Sequence, residues 1–181
     1  TGVTTMFIEP TLDTGPILLQ HATGIGKTET APELMQRLST IGADLLSETL
    51  SRLDQITPQP QDDALATFAP MLKKEDGRID WQLPAKMIEQ RIRGLQPWPN
   101  AYTTFNAKSL TIWEAQTLLS VTSGVSPGEL IAAWRDELVV QCGNQTALRV
   151  LEVQPEARKR LAARDFINGM HVKIGDRFGQ D

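Results

Sequence analysis

The sequence predicts an α+β protein in two parts, strands with one long helix followed by a small OB-like β-barrel with flanking helices. Three observations predict it. Residues 57–70 (TPQPQDDALATFAP) hold three prolines and two aspartates without sustained periodicity, which is linker chemistry. Before them, apolar residues recur at helical spacing over 34–53. After them come five short strand-like runs separated by turn formers. The parts so defined are residues 1–56, a linker over 57–78, and residues 79–181.

In the first part, residues 3–8 (VTTMFI) and 17–21 have β-branched and apolar character and flank EPTLDTGP, whose Pro, Asp and Gly favour a turn. The strand character starts almost at Thr1, so the chain is expected to begin mid-domain. Thr30 and Glu33 have capping-box spacing, and Pro32 sits in the first turn. Leu34, Leu38, Ile41, Leu45, Thr49 and Leu53 then recur every three or four residues, as on a long amphipathic helix.

In the last part, residues 83–95 (LPAKMIEQRIRGL) read as a helix that starts near Pro84 and ends at Gly94. Ile88, Ile92 and Leu95 lie along one side, and Lys86, Gln90 and Arg93 along another. Strands are expected at 101–105, 110–115, 129–134, 138–142 and 147–153. Asn106, Pro127, Gly128, Asp136, Gly143 and Asn144 supply the turns between them. Five short strands so punctuated suit an OB-type barrel better than a parallel sheet. A final helix is expected over 156–166.

The 181 residues carry 18 basic and 22 acidic groups, a net charge of −4. Residues 1–70 hold 3 basic and 9 acidic groups, and residues 71–181 hold 15 and 13. No apolar run reaches the roughly 18 residues of a membrane helix, and the start lacks a signal pattern. One cysteine, Cys142, excludes an internal disulfide and suits a reducing cytosol. With only His21 and His171 beside that thiol, no metal site is expected.

Asp13, in the LDTG turn, is the carboxylate to single out, because loops commonly present catalytic groups. The blander reading is an Asx turn, in which Asp13 bonds its own backbone. His21 reads as a half-buried strand residue. Lys73, Lys74, Lys86, Arg91 and Arg93 precede Gln96, Trp98 and Tyr102, and cation plus aromatic is a nucleic-acid signature when both face one groove. The competing reading is a solvated helix face, with a Glu89–Arg93 pair and Trp98 held in the core. Arg158, Lys159, Arg160 and Arg164 read as solvated surface on the last helix. Asp80 and Trp81 are expected to cap and pack, and Cys142 to be a buried small hydrophobe.

Together these segments resemble the methionyl-tRNA formyltransferase family over nearly the whole chain. TGVTTMFIEPTLDTGPIL is similar to the family's strand, catalytic turn and strand; ALATFAPMLKKEDGRIDW to its interdomain link; and RIRGLQPWPNAYTTF to the start of its OB-like domain. The resemblance implies that the first part is the end of a Rossmann-like formyltransferase domain. It also implies a catalytic Asn, His and Asp, with Asp13 as the Asp and the other two upstream, and Leu12, Thr14 and Gly15 beside the folate. The implied reaction is formyl transfer from 10-formyltetrahydrofolate to the amino group of initiator methionyl-tRNA, without a metal, in the cytoplasm. Lys73, Lys74, Lys86 and Arg93 are the implied tRNA phosphate contacts. The 181 residues alone are expected to be inactive, since the Asn and His are not among them. The alternatives are a non-catalytic RNA-binding module, or a formyltransferase or hydrolase acting on a sugar amine or on water.

Overall fold

The structure, a computed structural model, describes residues 1–118 and 124–180. The chain divides into two compact units, Thr1–Met71 and Leu72–Asp181, so the division falls inside the stretch that reads as linker. Among the described residues no helix is long and apolar enough to cross a membrane.

Unit one is an antiparallel ribbon of β1 (Gly2–Met6) and β2 (Ile17–Ala22), covered by helix α1 (Ala31–Ser51). The capping box forms as the spacing predicts: the Glu33 carboxylate accepts from both the backbone N–H and the hydroxyl of Thr30, each at 2.8 Å. These bonds favour the ionised form and hold the Glu33 carboxyl below its usual range. Arg37 ties the helix to the preceding loop, donating to Glu29, to the Thr23 hydroxyl at 2.7 Å and to the Gly24 carbonyl at 2.8 Å. Only Leu45 and Thr49 of the helix are fully buried. Thr49 meets Thr5 of β1 hydroxyl to hydroxyl at 2.8 Å.

Unit two carries the larger core. Its antiparallel sheet runs in the order β3 (Ala101–Phe105), β4 (Lys108–Leu118), β7 (Ala147–Pro155), β6 (Glu137–Gln141), β5 (Leu130–Trp134), with β8 (Leu161–Ala162) added to β7. The inward positions Leu110, Ile112, Leu138, Val140, Leu148, Val150 and Val153 are almost wholly buried. Helix α2 (Ala85–Gly94) adds Ile88 and Ile92 to this core, and α3 (Ala163–Met170) adds Phe166 and Ile167. The two outer strands of the order, β3 and β5, are linked by the C-terminal segment. Leu130 N–H donates to the Asp176 carbonyl, Phe178 N–H to the Gly128 carbonyl and Gly179 N–H to the Thr104 carbonyl, at 2.8 to 2.9 Å. Buried Phe178 packs there against Trp81 and Phe105.

The expected helix over 156–166 is corrected. Pro155 cannot donate a helical bond, and the Glu156 N–H instead donates to the Ser109 carbonyl at 3.0 Å, extending the ladder with β4. Ala157 turns the chain with φ of 57° and β8 returns along β7, so α3 begins only at Ala163. Sheet pairing outweighs the local helix propensity of EARKRLA. Within the stretch read as linker, Gln59 exchanges two backbone hydrogen bonds with Ile17, both 2.8 Å.

Candidate functional site

The turn between β1 and β2 is built to display a side chain. Gly15 is the buried residue of the turn: a Cβ there would lie 1.7 Å from the Phe7 carbonyl oxygen, so only glycine fits. Next to it Asp13 adopts φ of 57°, a left-handed conformation that Asp tolerates better than most side chains. The Thr14 hydroxyl lies 2.5 Å from the Thr11 hydroxyl and bonds the Thr11 carbonyl at 3.3 Å. The expected Asx turn does not form. The side-chain bonds across this bend come from Thr14, and among the described residues no donor engages the Asp13 carboxylate. Leu12 is 93% exposed.

Gln61, which reads from sequence only as linker, fixes the other side of the turn. Its Nε2 donates to the Asp13 and Gly15 carbonyls, both at 2.8 Å. Nothing in the composition of residues 57–70 signals this, because the partners are 48 and 46 residues away. Gln61→Ala is expected to loosen residues 11–15 and raise their amide hydrogen exchange about tenfold, with the exchange of α1 unchanged. Exchange measured by mass spectrometry checks it, and equal protection in both proteins would remove Gln61 from the account.

In unit two, Lys73 and Lys74 lie exposed at a 3₁₀ turn (Lys74–Gly77), where the Lys73 N–H donates to Asp76 at 2.6 Å. Arg91 donates to the Asp76 carbonyl and braces that turn. Lys86 and Arg93 meet on one carboxylate, Glu89, with Lys86 Nζ at 3.0 Å and Arg93 bonded through Nε. The Arg93 side chain is only 16% exposed and that of Lys86 57%. Burial opposes ionisation of Glu89, but the hydrogen bonds from Arg93 and Lys86 outweigh it and hold the carboxyl below its usual range. The helix-face pair therefore exists and is nearly buried.

Trp98, which only the competing reading puts in the core, is 57% exposed between two cis prolines, Pro97 and Pro99. His21 is exposed on β2. Asp80 caps the Gln82 N–H at 2.9 Å, and the buried Trp81 indole donates to Thr103 at 3.1 Å. Cys142 is buried and desolvation pushes its thiol up to about 12, which leaves it unreactive. Among the described residues no group of three or more His, Cys, Asp or Glu could hold a metal ion.

Unit one thus displays the Asp13 carboxylate on a braced turn, and unit two carries Lys73, Lys74, Lys86 and Arg93 at its 3₁₀ turn and on α2. Residues 1–50 match the family model described as formyl transferase, and residues 71–171 the model described as formyl transferase, C-terminal domain. The chain belongs to the formyl transferase family. A methionyl-tRNA formyltransferase of Solibacter usitatus is 47% identical over 182 residues, covering 99% of this chain and 57% of that protein. The chain thus spans a little over half the length of the curated relatives it matches. Among solved structures, HypX from Aquifex aeolicus in complex with tetrahydrofolic acid has a TM-score of 0.69 at 15% identity, covering 97% of this chain and 31% of that one. A methionyl-tRNA formyltransferase from Clostridium thermocellum has a TM-score of 0.52 at 23% identity, covering 69% and 52%. These two likenesses are of fold.

Proposed function

We propose that the protein containing this chain transfers a formyl group from 10-formyltetrahydrofolate to the α-amino group of initiator methionyl-tRNA, in the cytoplasm. The observation that carries the reading is the LDTG turn itself. Gly15 and Gln61 hold its backbone from two sides while the Asp13 carboxylate stays unengaged. A carboxylate so placed is available to orient an imidazole and raise its pKa. The resemblance puts that imidazole, and an Asn, upstream of the turn, where they would meet the charge developing on the formyl oxygen.

Leu12, Thr14 and Gly15 are the residues of this chain proposed to touch the folate. The fit rests on Leu12, whose 93% exposure leaves a large apolar side chain in water; covering it is worth roughly 1.5–3 kcal/mol. The co-substrate supplies an already activated formyl carbon, so no metal is required. Lys73, Lys74 and Lys86 are proposed phosphate contacts, giving affinity rather than base identity. Arg93 would contribute mainly by positioning Glu89 and, through it, Lys86.

The test is a formylation assay of the full-length protein. Charged initiator tRNA is expected to be formylated, while sugar amines are not and the formyl donor is not hydrolysed without acceptor. Transfer to a sugar amine at a higher kcat/KM would overturn the acceptor assignment. The 181 residues alone are expected to give no turnover.

A further inference from the structure

The stretch that reads as linker does not begin as free chain. Gln59 exchanges both backbone hydrogen bonds with Ile17, an antiparallel bridge that lays residues 59–61 along the start of β2. In an antiparallel ladder bonded pairs alternate with unbonded ones, so the next pair due to exchange bonds is Gln61 with Gly15. Pro60 and Pro16 fall at the unbonded pair between, where neither has to donate across. The Pro16 carbonyl faces the other way and accepts the Phe7 N–H at 3.1 Å.

At Gln61 the ladder passes from backbone to side chain. Its Nε2 donates to the Gly15 carbonyl at 2.8 Å, the acceptor that the next rung would use, and to the Asp13 carbonyl at 2.8 Å. A side-chain amide carries two hydrogens on that nitrogen, one for each carbonyl. One side chain thereby fixes two peptide planes, those that follow residues 13 and 15. The plane after Asp13 sets its ψ, and with φ at 57° these two angles decide where its Cβ and carboxylate point. The bonds from Thr14 close the bend onto Thr11 and leave that plane alone.

We propose that Gln61 is a positioning residue for formyl transfer: by holding the Asp13 and Gly15 carbonyls it aims the Asp13 carboxylate, and residues 59–61 belong to the reacting site. The inference rests on the proposed reading of Asp13 and deepens it. A carboxylate that orients an imidazole acts through distance and direction, and a misplacement of about 1 Å can lower a rate by as much as about a hundredfold. Gln61 is itself exposed, so substituting it leaves the buried contacts of unit one in place. Its nitrogen lies 3.9 Å from the Met6 sulfur, a neighbour that an apolar side chain of the same length also suits.

The test is a double-mutant cycle in the full-length protein, read as single-turnover formyl transfer to charged initiator tRNA with both substrates saturating. Gln61→Met keeps the length of the side chain and removes both donors. It is expected to lower the rate about tenfold and to leave the KM for tRNA unchanged. In the Asp13→Asn background the same substitution is expected to lower the rate less than about twofold, because a carboxylate that is absent cannot be misdirected. Gln61→Glu sets an ionised acceptor against two carbonyls and is expected to lower the rate at least as much as Gln61→Met. Gln36→Met, at an exposed position of α1, is the control and is expected to match the unaltered protein. Amide exchange of α1 checks that each variant is folded. An equal tenfold loss in both backgrounds would make Gln61 a brace of the turn that does not act through Asp13, and would overturn the proposal. An unaltered rate in Gln61→Met would overturn it as well. Both outcomes leave the reading of the protein standing. That reading fails separately if the unaltered full-length protein does not formylate charged initiator tRNA, and the proposal then falls with it.

Discussion

Asp13→Asn in the full-length protein is expected to lower the turnover of formyl transfer by about two orders of magnitude or more and to leave tRNA affinity unchanged. The substitution is nearly isosteric, and Asn tolerates the left-handed φ of 57° as well as Asp does. The turn, with Gly15 beneath Phe7 and Gln61 on the two carbonyls, therefore keeps its shape. What changes is the charge that the proposed reading sets beside an imidazole upstream of the turn. Asp13→Ala would mix that loss with strain at a left-handed position and is the weaker test. Because a neighbouring carboxylate raises an imidazole pKa, removing it should move the imidazole's limb of the pH–rate profile to lower pH. A structural role alone would leave that limb in place. Single-turnover rates across pH, alongside tRNA binding, separate the two cases, and near-normal turnover would take Asp13 out of the mechanism.

How far the sequence alone carries can be seen residue by residue. The start of α1 was legible because its determinants are local: Thr30 and Glu33 are three residues apart and satisfy each other's groups whatever the rest of the chain does. β3 was legible for a similar reason, since AYTTF alternates and is bounded by Asn100 and Asn106, both at positive φ. Residues 156–162 were not, because EARKRLA has good helical propensity and the force that straightens it is a bond to Ser109, nearly fifty residues earlier. The same holds at the candidate site. The LDTG turn could be read as a display element, but Gln61 could not be read as its tether from a linker composition. Trp98 was left open for the opposite reason: an aromatic between prolines fits the core or an exposed face equally well, and here Gln96 bonds into the sheet while the indole is left outside. The segment 175–179 that links β3 and β5 carries no strand pattern at all, since it contributes mostly backbone groups.

The second large effect is expected at Glu89, and it concerns stability. Glu89 is 7% exposed as a residue and is gripped by Arg93, itself mostly covered, and by Lys86. Removing one partner of a nearly buried pair leaves a charge in a poorly solvated place, so Glu89→Ala should cost unit two about 3 kcal/mol, the lower end of the range for such pairs because Lys86 reaches solvent. Glu89→Gln keeps the volume and two polar atoms and should cost less. The pH dependence identifies the charge as the cause. The carboxyl is held below its ordinary value of 4.5 in the folded protein, so its contribution is fully present above that value and is lost as pH falls through the folded one. The stability gap between the unaltered chain and Glu89→Gln should therefore be constant near neutral pH and narrow below about 4.5. Urea unfolding followed by tryptophan fluorescence measures this cleanly, because all four tryptophans, Trp81, Trp98, Trp113 and Trp134, lie in unit two. A gap that stayed constant down through the acid range would mean that the packing of Glu89, and not its ionised carboxylate, holds α2 in place.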